Sequence, residues 1–283
     1  MSLAAVYLSV HTPRYCTPEA AFAGKVAHPD FTMVRDGLVE QGRHVATVKP
    51  DVIVINSCHL ITTFPTVVDG TPRHRGVLTA QEAPELIHGV QYDLPGDYEL
   101  ASDLVDRGKA AGLPCTLAND VHYPLDYGTV MPLVCYLDRT QRVPVVPVSV
   151  CLSADLDESF AWGRHIVRAA QSLGRRAAFV ASGSVSHKLV RGPEKWPGAA
   201  EQELDHRFAK MLAAGEYGAL RAWLPEYATA AEPEMGGRHL AMMLGVLMET
   251  KTRFDATVHA YGPSSGSGNY VVSLAAGGPH SRR

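Results

Sequence analysis

The sequence of 283 residues predicts an α/β fold: a single domain with a mainly parallel central sheet flanked by helices, and an active site at the carboxyl ends of the strands. Three observations carry this expectation. Short apolar runs rich in Val, Ile and Ala alternate with longer stretches of helical period, the pattern of a strand–helix–strand chain. Those runs are continuously apolar rather than alternating, as strands covered on both faces must be. No internal repeat, low-complexity tract or long charge run marks a linker between two domains.

The elements follow in order. Leu3–Val10 reads as the first strand, Phe31–Val45 as a helix and Asp51–Asn56 as the second strand. Thr62–Gln91, rich in Thr, Pro, His and Gly, reads as a strand-poor insertion of the kind that covers a site. Next come a helix at Tyr98–Ala111, a strand at Cys115–Ala118 and a helix at Gly128–Leu137. A strand at Val143–Val150, a helix at Glu158–Leu173 and a strand at Ala177–Ala181 follow. Beyond residue 198 the pattern is helical, through Glu201–Ala214, Tyr217–Leu224 and Gly237–Thr250. A final strand pair, near Arg253–Ala260 and Asn269–Leu274, closes the sheet. The domain is placed at residues 1–275, with 276–283 a flexible polar tail.

Composition excludes several classes. With 26 basic and 29 acidic side chains the net charge is −3, which gives no global electrostatic case for nucleic acid or an anionic membrane. There is no run of ~18 apolar residues, so no spanning helix is expected. The start, MSLAAVYLSVHTP, lacks a basic leader and reads as a buried strand rather than a signal peptide. Five scattered cysteines without CxxC spacing argue against a disulfide scaffold or a cysteine-built zinc site, and fit a reducing cytoplasm.

The unusual count is 13 histidines. His11 follows LAAVYLSV, His59 follows DVIVINSC and His187 follows AAFVASGSVS. Parallel strands deliver their carboxyl ends to one edge, where ligands bind, so these three converge despite their separation in sequence. One such histidine alone reads as a loop cap; the repetition is what points to a site. Neutral imidazole is the commonest metal ligand, and two histidines with one carboxylate leave three octahedral positions open, which suits Fe(II) binding both a substrate and O₂. For the carboxylate the helical third offers Glu226, Glu232 and Glu234, the last two in AAEPEMGGRH, where Pro233 and Gly236-Gly237 make the backbone irregular. Carboxylates answering a helix dipole are the other reading of the same residues.

Other motifs are weaker. GPSSGSGNY (Gly262–Tyr270) lacks a P-loop lysine and GxGxxG spacing, and reads as a turn before a strand. SGSVSH contains no GxSxG elbow, and no HExxH occurs. Cys58, beside His59, reads as a small buried apolar residue.

Taken in order, the strand-plus-histidine pairs at His11 and His59, LDYGTVMPL (Leu125–Leu133), ASGSVSH (Ala181–His187), LPEYA (Leu224–Ala228) and PSSGSG (Pro263–Gly268) span nearly the whole chain. In these segments it resembles the class III extradiol dioxygenases, the superfamily of the protocatechuate 4,5-dioxygenase beta subunit. Within it the chain is most similar to the homoprotocatechuate 2,3-dioxygenase and 2-aminophenol 1,6-dioxygenase branch. The resemblance implies iron(II), with manganese(II) as the alternative, held by His11, His59 and Glu234, with Glu232 the competing carboxylate. It implies His187 as the catalytic acid–base and substrate contact. Many relatives carry Asp-His-Gly where this chain has Asp126-Tyr127-Gly128, so Tyr127 takes a catalytic and substrate-binding place there. His122 is weighed equally as a substrate contact and as a loop hydrogen bond. Arg14, Arg73, His74 and Arg191 are candidates for a substrate carboxylate, each also readable as a solvated charge.

The implied reaction is extradiol (meta) cleavage of a catechol-type aromatic by O₂, giving a ring-opened semialdehyde acid in a cytoplasmic homo-oligomer. A 2-aminophenol-type cleavage is the second reading. A non-catalytic metal-site homologue or partner subunit, and a zinc hydrolase, are the readings from other classes.

Overall fold

The structure, a computed structural model, describes residues 3–16, 29–81, 84–136 and 143–276. Its central strands divide their side chains between two apolar clusters. In β1 (Leu3–Ser9), Leu3, Val6 and Leu8 enter one cluster, and Ala5 and Tyr7 the other. In β2 (Val52–Thr62), Val52 and Val54 oppose Ile53 and Ile55 in the same way. This two-sided burial is why the runs are continuously apolar. Each large side chain so buried contributes roughly 1.5–3 kcal/mol.

Between Thr62 and Gln91 the chain forms β3 (Thr66–Asp69), β4 (Arg73–Leu78) and the start of β5 (Val90–Pro95). The strand-poor reading of this stretch is therefore corrected. β4 and β5 pair only with each other, and Arg73, Arg75 and Val77 face outward, so no apolar run announces them. The second strand also runs beyond the expected Asn56, through Thr62.

The remaining elements lie close to the expected positions. They are α1 (Pro13–Cys16), α2 (Pro29–Val48), α3 (Tyr98–Ala110), β6 (Cys115–Ala118), α4 (Tyr127–Tyr136), β7 (Val145–Cys151) and α5 (Leu156–Ser172). After them come β8 (Ala177–Ser182), β9 (Ser186–His187), α6 (Ala199–Ala214), α7 (Tyr217–Ala231), α8 (Arg238–Thr250), β10 (Phe254–Ser264) and β11 (Ser267–Ala276). Asp97 and Asp155 cap α3 and α5 by accepting from Leu100 N and Glu158 N, each such cap being worth ~1 kcal/mol. α7 continues past Pro225, where the sequence reading stopped it, because Tyr227 and Ala231 prolong its buried stripe. Leu137 and residues 277–283 lie outside the described residues.

The sheet order is β10-β11-β1-β8-β2-β7-β3-β6, with β9 on β11. β1, β8, β2 and β7 run parallel to one another, so their carboxyl ends share one edge. β3 meets β7 antiparallel, and β10–β11 forms an antiparallel edge against β1. The sheet is mixed and mostly parallel. α2 and α4 cover one face; α3, α5, α6, α7 and α8 cover the other. α5 and α8 meet at facing glycines: a Cβ on Gly245 would stand 2.1 Å from Phe160 O, and one on Gly163 2.0 Å from Met242 O. No described helix is long and apolar enough to cross a membrane.

Candidate metal centre

His11 lies two residues beyond β1 and is buried. Its Nδ1 is 2.9 Å from Ser182 Oγ, at the end of neighbouring β8. The single Ser182 hydroxyl hydrogen goes to Gly128 O at 2.7 Å, so the oxygen accepts from His11 Nδ1–H. That leaves His11 Nε2 facing Glu234 Oε1 at 3.3 Å.

His59 reaches the same carboxylate by a different device. β2 pairs with β7 through Ser57↔Ser149 and resumes at Ile61↔Val150, so Cys58, His59 and Leu60 form a bulge. Such bulges re-aim side chains out of the ladder. His59 Nε2 stands 3.2 Å from Glu234 Oε1, and the His11 and His59 rings are nearly perpendicular at 4.7 Å between centroids. Ser57 Oγ accepts from His59 N at 3.1 Å and donates to Asp126 Oδ1 at 2.5 Å, which braces the bulge.

Glu234 opens a short 3₁₀ turn, Glu234–Gly237, between α7 and α8. Glu232, Met235, Gly236 and Gly237 all have left-handed φ, from 48° to 78°. Strain at the non-glycine positions, of order 1–3 kcal/mol each, is typical of functional turns. It turns Glu234 inward, to 1% exposure, where Oε2 accepts from Ser184 N at 2.8 Å. Burial alone would raise the Glu234 carboxyl; the His11 charge, hydrogen bonds from His11 and His59, and His187 overcome it and hold the group well below the usual carboxylate range. Glu232 points away, 60% exposed and 3.4 Å from Lys188 Nζ. Glu226 is exposed.

The donor atoms of His11, His59 and Glu234 lie within 4.8 Å of one another. Among the described residues no lysine or arginine pairs with Glu234. A buried carboxylate met by two imidazole nitrogens, with no other cation, fits a divalent metal of the kind that takes mixed nitrogen and oxygen donors.

Two further groups border the triad. Tyr127, first in α4, has its hydroxyl 2.5 Å from His59 Nε2 and its ring centroid 3.9 Å from that of His59. His187, in β9, is half-buried, with a buried Nδ1 that finds no partner among the described residues. Burial lowers its pKa; Glu234 opposes this, while His11 and His59 reinforce it. At neutral pH it is an uncharged imidazole able to take a proton.

The other candidates lie elsewhere. His122 is exposed, its backbone N–H on Asp120 Oδ1 at 2.9 Å, and no described contact joins its ring to the triad. Arg73 pairs with Asp93 at 2.6 Å, His74 is buried 3.7 Å from Asp69, and Arg191 is exposed. The Arg14 side chain lies outside the described residues.

Sequence reasoning missed Ser182, Asp126 and His239. His239, fully buried in the first turn of α8, is pushed down to about 4 by burial, with Glu234 opposing. It packs beside Cys58: a Cβ on Gly183 would meet Cys58 Sγ at 2.7 Å and His239 Nε2 at 2.8 Å. Burial, then the charges of Glu234 and Asp126, raise the Cys58 thiol well above its ordinary value, which makes it a poor nucleophile. The only sequence signal for His239 was its place directly after EMGGR.

A family model described as the catalytic LigB subunit of aromatic ring-opening dioxygenase matches residues 6–273. The chain belongs to this family. As a LigB-family protein it is 27% identical over 236 residues to a 3,4-dihydroxyphenylacetate 2,3-dioxygenase of Escherichia coli, covering 81% of this chain and 84% of that one. It is 26% identical over 239 residues to a 2-aminophenol 1,6-dioxygenase alpha subunit of a Pseudomonas species, covering 82% and 87%. The corresponding beta subunit is 26% identical over 245 residues, covering 81% of this chain and 79% of its own. These relatives support aromatic ring-cleaving dioxygenase activity for this LigB-family chain. The crystal structure of an uncharacterized Escherichia coli K12 protein shares the fold, with a TM-score of 0.57 at 19% identity over 83% of this chain and 91% of that one.

Proposed function

We propose that this protein is an extradiol dioxygenase that opens a catechol-type ring beside its oxygen-bearing carbons. Both atoms of O₂ enter a ring-opened semialdehyde acid. The observation that carries the reading is the buried Glu234 carboxylate facing His11 Nε2 and His59 Nε2, at 3.3 and 3.2 Å, with Tyr127 and His187 alongside. His11, His59 and Glu234 would hold iron(II), with manganese(II) as the alternative. When bound, the metal supplies the electron exchange that lets triplet O₂ react with a singlet aromatic.

The chain's own groups do the rest. Ser182 fixes the His11 tautomer, and the bulge braced by Ser57 and Asp126 fixes His59. His187, uncharged at neutral pH, accepts a proton from a catechol hydroxyl at a ring nitrogen and returns it as the ring opens. The Tyr127 hydroxyl, on the His59 side, hydrogen-bonds a substrate oxygen and orients the ring. The partners are therefore a small aromatic substrate and O₂.

A 2-aminophenol is the second reading, favoured by relatives of that name at nearly the same identity as the catechol-cleaving one. Because two of those relatives are named as alpha and beta subunits, assembly of more than one chain belongs to the proposal. The test is anaerobic loading with Fe(II), then O₂ consumption and visible absorbance of ring-opened product across a panel of catechols and aminophenols. Uptake and colour with a catechol support the main reading; preference for an aminophenol selects the second. Iron-loaded protein that consumes no O₂ with any of them overturns both and favours a non-catalytic subunit.

A further inference from the structure

The segment Ser182–His187 is held by two buried carboxyl groups: Ser184 N binds Glu234, and Ser186 Oγ binds Asp205 Oδ2 at 2.6 Å. Asp205 lies on α6, fully buried, and also contacts Tyr261 OH at 2.7 Å through Oδ2 and Tyr227 OH at 2.9 Å through Oδ1. LPEYA and PSSGSG supply no ligand or acid–base residue to the site just described, yet both meet here. Tyr227 comes from the first. Gly268, from the second, approaches so closely that a Cβ would stand 2.1 Å from Asp205 Oδ2.

A count of protons sets the state of Asp205. The Tyr227 hydroxyl has one hydrogen and two neighbouring acceptors, Val185 O at 2.6 Å and Asp205 Oδ1 at 2.9 Å. The shorter contact takes the hydrogen. Oδ1 is then left to donate, which requires a proton on the carboxyl. Oδ2 accepts from Ser186 and Tyr261, and Ser186 Oγ in turn accepts from Gly268 N at 3.2 Å.

We propose that Asp205 is a neutral carboxylic acid that positions His187 for proton transfer. The chain Asp205 Oδ1–H to Tyr227 O, and Tyr227 O–H to Val185 O, fixes the peptide before Ser186, while Oδ2 fixes the Ser186 side chain. The residue that follows is His187. The groups around the acid agree with its being uncharged: Ser186 from β9, Tyr227 from α7, Tyr261 from β10 and Tyr270 from β11 bring no positive charge. Glu201, one turn earlier on α6, is occupied by Lys188 at 2.7 Å. Burial raises the carboxyl to about 6 even when Tyr227 is counted as a donor beside Ser186 and Tyr261; with Tyr227 accepting from Oδ1–H instead, that lowering contribution is gone and the proton is held more tightly. The positioning role rests on the acid–base role of His187 proposed above.

Asparagine can replace a neutral acid here but not an anion, because its amide donates to Tyr227 while its oxygen accepts from Ser186 and Tyr261. Iron-loaded Asp205→Asn keeps kcat within about threefold of wild type. Asp205→Ala loses kcat ~10- to 100-fold, the scale of a misplaced catalytic group, with KM and iron content nearly unchanged. Equal loss in both variants, or wild-type kcat in Asp205→Ala, overturns the proposal. If Asp205→Ala does not fold, Tyr227→Phe, which breaks the same chain, takes its place with a smaller fall in kcat expected. A second arm does not need activity. Carbon-13 NMR of aspartate-labelled protein, with Asp205→Asn assigning the resonance, shows Asp205 still protonated at about pH 5, where exposed aspartates with pKa ~3.9 have ionised. An Asp205 that ionises with the others overturns the proposal, and this arm decides it even if wild type proves inactive on every aromatic.

Discussion

Glu234 and Asp205 are both buried carboxyl groups, at 1% and 0% exposure, and both hold the Ser182–His187 segment. Their surroundings drive them apart. Burial would raise both, but Glu234 faces two imidazole nitrogens and is held ionised, whereas Asp205 faces hydroxyls and is raised to about 6. The lesson is that neighbours, not depth, decide whether a buried carboxyl becomes an anion awaiting a cation or an acid awaiting an acceptor. The pair also divides the labour around Ser182–His187: one holds charge, the other holds shape.

The largest test of that contrast removes the charge. Glu234→Gln, of nearly the same shape, drops the metal content to background by elemental analysis, and ring cleavage goes with it. Glu232→Gln leaves both unchanged; metal retained by Glu234→Gln would break the contrast. Next in size is His187→Gln, which keeps its iron and loses turnover by ~10²–10⁴ in single-turnover measurements. Unaltered turnover there removes His187 from the chemistry.

The third test reads the other carboxyl through stability. The folded pKa of Asp205, about 6, lies above that of an unfolded aspartate. Its contribution is thus full below about pH 4 and is lost as pH rises through about 6. Urea unfolding of the metal-free proteins shows wild type losing about 2.5 kcal/mol relative to Asp205→Asn between about pH 4 and about pH 7.5. A difference independent of pH would mean that Asp205 is not the raised group. The smallest effect comes from Ser182→Ala, which takes the acceptor from His11 Nδ1 and weakens metal binding ~10- to 100-fold by competition with a chelator.

Sequence made one half of this contrast legible and not the other. His11 and His59 could be found because each follows an apolar strand at the point where the pattern turns polar, and parallel topology brings such points together. The choice of Glu234 over Glu232 came from the family resemblance and not from the residue pattern, since it depends on the left-handed residues that swing one carboxylate inward and leave the other with Lys188. The β4–β5 hairpin escaped because its outward arginines hide a strand pattern. Asp205 sits in EQELDHRF, a charged helical stretch that reads as a solvated face. Its burial is made by Ser186, Tyr227 and Tyr261, partners that only the assembled fold places beside it.

In the metal centre proposed above, the donors come from position 11, from a bulge at position 59 and from a turn at position 234. No local segment holds even two of them, so the ion has nothing to nucleate around in the unfolded chain. β1, β8 and β2 must be in register, and α7 and α8 docked on them, before a cation finds its third donor. Loop-closure entropy for such distant contacts falls on the polypeptide alone, and metal capture comes after the slow, high-contact-order steps. Acquisition of the ion during refolding is therefore a clock for the completed sheet: it starts only when the last helix is home.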